Sequence, residues 1–171
     1  MAQTNLVPLQ ELAKNRPFRF DVPLQSYADA MVHDLGVLGL AKMRFVGTLS
    51  PRNTSDWTLD ATLGATVTLA CVVTGDPVTY RIDEPVARTY TKAERDRDHD
   101  ATELEMPDDD TVDPLPETLD LAIVFQEALS LALPDYPRKD DATLAQSVFT
   151  AEGLDPLTDE RMNPFASLAN L

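Results

Sequence analysis

The strongest constraint on the fold is a run of alternating apolar residues that begins at Trp57 and resumes after a turn. Trp57, Leu59, Ala61 and Leu63 share one parity, and Val67, Leu69, Cys71 and Val73 continue it. Beyond Thr74-Gly75-Asp76-Pro77, the residues Val78, Tyr80, Ile82, Glu84 and Val86 alternate again. A period of two puts every second side chain on one face, so each run reads as a half-buried strand. The short Gly/Pro turn makes the last two runs neighbours in space, which predicts an antiparallel hairpin or meander. Thr, Val, Tyr and Ile dominate, as residues that suit a pleated surface should.

The remaining segments supply partners for this hairpin. Phe18, Phe20 and Val22 alternate with Arg19 and Asp21, the pattern of another strand. Leu38–Leu49 is strand-like, with Met43, Phe45 and Gly47 on one face and Lys42 and Arg44 on the other, and Pro51-Arg52-Asn53 ends it. Ser26 reads as the N-cap of a helix from Tyr27 to Leu35, stopped near Gly36. A second helix, Leu119–Leu131, carries Leu121, Val124, Phe125, Ala128 and Leu131 on one stripe, and Pro134 and Pro137 terminate it. A short helix is placed over Ala142–Phe149, and Asn163-Pro164 supplies a cap and a preset first turn for a last one ending at Leu171. No internal repeat is visible. The expected class is α+β: an antiparallel, strongly twisted sheet or partial barrel with a few packed helices. One domain is expected over residues 1–171, with a sheet core over about 16–91, an acidic loop over about 92–118 and a helical part over 119–171.

Charge divides the chain more sharply than hydropathy does. Residues 1–97 hold 11 basic and 11 acidic residues, whereas residues 98–171 hold 3 and 18, so the net charge of −15 belongs to the C-terminal part. A nucleic-acid binder usually shows the reverse balance, so any RNA contact has to come from a local basic patch. No stretch approaches the ~20 apolar residues of a membrane span. Met1–Glu11 lacks the basic start and apolar run of a signal peptide, and one cysteine permits no internal disulfide. The cytoplasm is the expected compartment.

Candidates for chemistry are few. His33 lies on the polar side of a short helix and His99 within Arg95-Asp96-Arg97-Asp98-His99-Asp100, neither beside a nucleophile. Cys71 falls on the apolar parity of its strand, where a thiol is a small buried hydrophobe, and no cation stands next to it in sequence to make it reactive. Glu103, Glu105, Asp108, Asp109, Asp110 and Asp113 lack the glycine and terminal glutamate of a calcium loop and read as a solvated charge run. No glycine-rich phosphate loop is present. These observations point to a protein without catalytic residues, metal or cofactor.

The hairpin Val67-Thr68-Leu69-Ala70-Cys71-Val72-Val73-Thr74-Gly75-Asp76-Pro77-Val78 resembles the central signature of the YceD family, in which a strand runs into a Cys-x-x-Cys turn. The acidic segment after Lys92, the helix Leu119–Leu129 leading to Leu133-Pro134, and Asn163-Pro164-Phe165-Ala166-Ser167-Leu168 follow in the family's order. The second cysteine of the turn is Thr74 here, and Cys71 is the only cysteine, so a four-ligand zinc site is not expected. The resemblance implies a cytoplasmic, non-enzymatic factor supporting 23S rRNA accumulation and large ribosomal subunit assembly. The alternative is an acidic, chaperone-like module that binds a basic large-subunit ribosomal protein without touching RNA. Arg81, Arg88, Lys92, Arg95 and Arg97 are the candidates for phosphate contact. Asp108, Asp109 and Asp110 are candidates for contact with a basic protein, and Asn163, Pro164 and Phe165 for a helical docking motif.

Overall fold

A computed structural model describes residues 5–12, 16–52, 56–91 and 112–143. In chain order its elements are β1 (Leu6–Pro8), β2 (Phe18–Pro23), a 3-10 turn (Gln25–Tyr27), α1 (Ala28–Leu35), β3 (Gly39–Pro51), β4 (Trp57–Ala70), β5 (Pro77–Thr91), β6 (Val112–Pro114), β7 (Thr118–Asp120) and α2 (Leu121–Ala132). The class is α+β. Five strands form one sheet in the order β2-β3-β4-β5-β6, antiparallel except where β6 runs parallel to the end of β5. Its outer strands β2 and β6 do not pair, so the sheet is open. A separate two-stranded ribbon joins β1 to β7.

The alternation that dominates the sequence becomes the core face of β4. Trp57, Leu59, Ala61, Leu63, Ala65 and Val67 are all buried, and β5 pairs with them in unbroken register from Trp57↔Tyr90 to Ala70↔Pro77. Opposite these, β5 contributes Ile82, Val86 and Tyr90 to the core. On β3 the register shifts between Ala41 and Arg44, and Lys42 takes a positive φ of 51°. This bulge changes parity, so that Leu40 before it and Met43 and Phe45 after it all face the core. Gly47 lies where β3 and β4 approach most closely, because a Cβ there would sit 2.5 Å from the Ala61 Cβ and 2.6 Å from the Asp60 carbonyl oxygen.

α2 seals the core face. Its Leu121, Ala122, Val124, Phe125 and Leu129 are buried. Phe125 meets the Phe45 ring edge-on at 5.8 Å, and Phe45 meets Phe20 at 5.4 Å, so one aromatic chain links helix, β3 and β2. Such contacts contribute about 0.5–1.5 kcal/mol each beyond the area they bury. Asp120 caps the helix, its Oδ1 accepting from the Ala122 N–H at 2.8 Å and from the Asn5 amide at 2.7 Å. One carboxylate thus satisfies a helix end and anchors the start of β1.

Several boundaries differ from the sequence reading, each for a local reason. Ser26 is not the cap of α1; the 3-10 turn intervenes and Tyr27 precedes the helix without a side-chain cap. Gly36 does end α1, with φ 64° in the left-handed region. Leu131 is 83% exposed, and Leu129 takes the buried place assigned to it. Residues 112–114, expected in the acidic loop, are the strand β6; Thr118–Asp120, expected at the end of that loop and the start of the second helix, are the strand β7; and β1 has no counterpart in the sequence reading. Three-residue strands are too short to show a period. The proposed helices over Ala142–Phe149 and from Pro164 to Leu171 fall outside the described residues beyond Thr143.

Candidate partner-binding site

Both arginines of the phosphate-contact set that lie among the described residues are committed to carboxylates. Arg81 stands on the open face of β5, donating through Nε to Asp83 Oδ2 at 2.8 Å and through Nη1 to the Lys42 carbonyl at 3.3 Å. Gly64, opposite on β4, leaves the space this pair occupies, since a Cβ there would run into the Arg81 guanidinium and the Asp83 carboxylate. The guanidinium holds the Asp83 carboxyl below its ordinary range, mainly by hydrogen bonding. One strand pair away, Arg44 grips Asp21 in the same manner, with Nε to Oδ1 at 2.9 Å.

Arg88 belongs to the other face. Its side chain is only 21% exposed and lies 3.2 Å from Asp113 of β6 and 2.8 Å from Glu127 of α2. One guanidinium therefore ties β5, β6 and the helix together while answering two carboxylates. Beside it, burial pushes the Tyr90 phenol up to about 12. A phosphate approaching Arg81 or Arg88 would have to displace carboxylates already in place. Lys92, Arg95 and Arg97 lie outside the described residues, as do Asp108, Asp109, Asp110, Asn163, Pro164, Phe165 and His99.

Cys71 is the first residue past β4 and is 2% exposed, as its apolar parity foretells. It does not join the main core; the loop over 137–143 covers it. Val72 donates to the Pro137 carbonyl at 2.9 Å, and the Lys139 N–H reaches the Cys71 Sγ at 3.5 Å. The Tyr80 hydroxyl meets both the N–H and the carbonyl of Arg138, at 2.9 and 3.1 Å. The Thr74 hydroxyl and then the Lys139 amide stabilise the thiolate and outweigh its burial, holding the thiol down at about 6. Sequence proximity offers Thr74, three residues on, but not Lys139, which lies 68 residues away. Among the described residues, no group of three or more His, Cys, Asp or Glu side chains is placed to hold a metal ion.

The feature that sequence reasoning missed lies on the outer side of the helices. Leu35 at the end of α1 and Ile123, Gln126, Glu127 and Ser130 of α2 line an open cleft of about 430 Å³. Gln126 bridges the helices by donating to Asp34 Oδ2 at 3.3 Å, and His33 stands exposed beside it with Nδ1 3.4 Å from Asp34. The signal was present in the composition of α2. Of its residues only Gln126, Glu127 and Ser130 are polar, too few to cover a helix with one side in water.

An open, mostly antiparallel sheet sealed on one face by a helix, with its arginines answered by carboxylates among the described residues, defines an α+β protein. The family model for YceD, the large ribosomal RNA subunit accumulation protein, matches residues 59–171, which carry β4, β5 and α2. The chain belongs to the YceD family. No curated protein and no solved structure matches it. No helix among the described residues is long and apolar enough to cross a membrane.

Proposed function

We propose that this protein is a non-enzymatic, cytoplasmic factor that supports accumulation of 23S rRNA and assembly of the large ribosomal subunit. The single observation that carries this reading is the family match, which spans the central hairpin and the helix that seals it. The experiment is removal of the chain from its own cells, with the ratio of 23S to 16S rRNA measured before and after. A fall in that ratio, restored by the intact chain, is expected; an unchanged ratio in growing cells overturns the reading.

A specific observation bears on how the protein does this. Arg81 spends its charge on Asp83, and Arg88 on Asp113 and Glu127, so the described part of the phosphate-contact set offers little free positive charge. That favours action through a protein partner of the rRNA over direct contact along β5. Surface ion pairs contribute only ~0–1 kcal/mol, so Arg81 is the easier of the two to release.

A further inference from the structure

α1 and α2 together hold Asp29, Asp34 and Glu127 and no lysine or arginine. Between them lies the cleft floored by Leu35 and Ile123. Ile123 is 55% exposed and Leu131, one helical face further round, is 83% exposed. An exposed aliphatic side chain in a cleft rimmed by polar groups is the form a protein-contact surface takes. The sheet takes no part, since α2 already spends Phe125, Val124 and Leu129 on it.

Charge decides which partner fits. Glu127 lines the cleft and Asp34 stands beside it, accepting from the Gln126 amide that also lines it; Arg88 is shared between Glu127 and Asp113, so those three groups keep one excess negative charge. Phosphate would be repelled, which argues against RNA here. A second copy would bring another chain of net charge −15 against the same acidic face. We infer that the α1–α2 cleft is a docking site for a basic polypeptide segment, one that sets an aliphatic or aromatic side chain against Leu35 and Ile123 and lays lysine or arginine beside Asp34 and Glu127. This deepens the assembly-factor reading and rests on it for the partner's place in the cell; the surface chemistry itself is independent of that reading. The anchor supplies the desolvated centre, and the charges steer approach and fix register.

The test places a photo-crosslinking amino acid at Leu131 of the full-length chain in cells, and the captured peptide is sequenced by mass spectrometry. The expected capture is a segment rich in Lys and Arg with an apolar residue at its centre. Adding Ile123→Ser should reduce that capture at least tenfold while the circular dichroism melt stays unchanged, because Ile123 is largely exposed. Capture of RNA, of a second copy, of residues 144–171 of this same chain or of a segment without excess positive charge overturns the inference, as does capture indifferent to Ile123→Ser. The two readings fail separately. An unchanged 23S to 16S ratio on removal of the chain defeats the assembly role while a basic capture still supports the cleft. A lowered ratio with no basic capture keeps the role and defeats the cleft.

Discussion

On the helix-covered face of the sheet, Phe20, Phe45 and Phe125 meet ring to ring at 5.4 and 5.8 Å; on the open face, Asp21 meets Arg44 and Arg81 meets Asp83 as exposed ion pairs. The first contacts exclude water and have no substitute once lost. The second exchange one hydrated arrangement for another at nearly equal free energy. Stability therefore sits on one side of the molecule, and the other side can change its residues without endangering the fold.

The largest effect that can break this contrast is at Phe125. Phe125→Ala should lower the free energy of unfolding by about 3–5 kcal/mol, because it empties a fully buried aromatic site. Urea denaturation measures it directly. A loss below about 1 kcal/mol, the scale of a surface change, would show that α2 does not hold this face closed.

Two glycines on neighbouring strands sharpen the comparison. In Gly47→Ala the new Cβ would stand 2.6 Å from the Asp60 carbonyl oxygen, so backbone must shift, at a cost of about 1–3 kcal/mol. In Gly64→Ala the new Cβ meets the Arg81–Asp83 pair, whose long side chains can swing into solvent, and the expected cost is below about 1 kcal/mol. The same denaturation experiment reads both. Equal losses would erase the difference between the two faces.

The central hairpin was legible in the sequence because it is long. With fourteen and fifteen residues, β4 and β5 show their period many times over, and the parity of Val78, Tyr80, Ile82 and Val86 is the parity observed. Phe20, Val22, Met43 and Phe45 were legible because charged residues alternate with them on β2 and β3. The candidate site was not, because it depends on distant pairs. Nothing local connects Arg88 to Glu127 or Asp34 to Gln126, and a run such as Arg81, Arg88 reads as basic until its partners are placed beside it. The stripe on α2 was placed one step round at Leu131 because α2 is apolar on nearly every side, which leaves a helical period little contrast to work with.

An effect that depends on pH lies at Cys71, just past the end of β4. Its thiol is held at about 6, against about 8.5 in an unfolded chain. A depressed acid stabilises the fold fully above the unfolded value and loses that contribution as pH falls through the folded one. Wild type should therefore gain stability relative to Cys71→Ala as pH rises from about 6 to about 8.5. Thiolate absorbance should titrate near pH 6 in wild type and at higher pH in Thr74→Val, which removes the leading hydrogen bond. A midpoint above pH 8 in wild type would contradict the hydrogen-bonded arrangement around the sulfur.

The ribbon joining β1 to β7 sets an order of events during synthesis. Asn5 and Asp120, bonded at its end, are 115 residues apart. At ribosomal speeds of about 5–20 residues per second, the first strand waits roughly 6–23 s before its partner even exists. Over that interval Leu6 and Val7 have no sheet to join, although β2, β3 and β4 are already available to one another. β1 is made before every other described strand and is among the last to be fixed. A chain halted before Thr118 lacks both the partner of β1 and the helix that seals the core face, so its beginning stays unfastened.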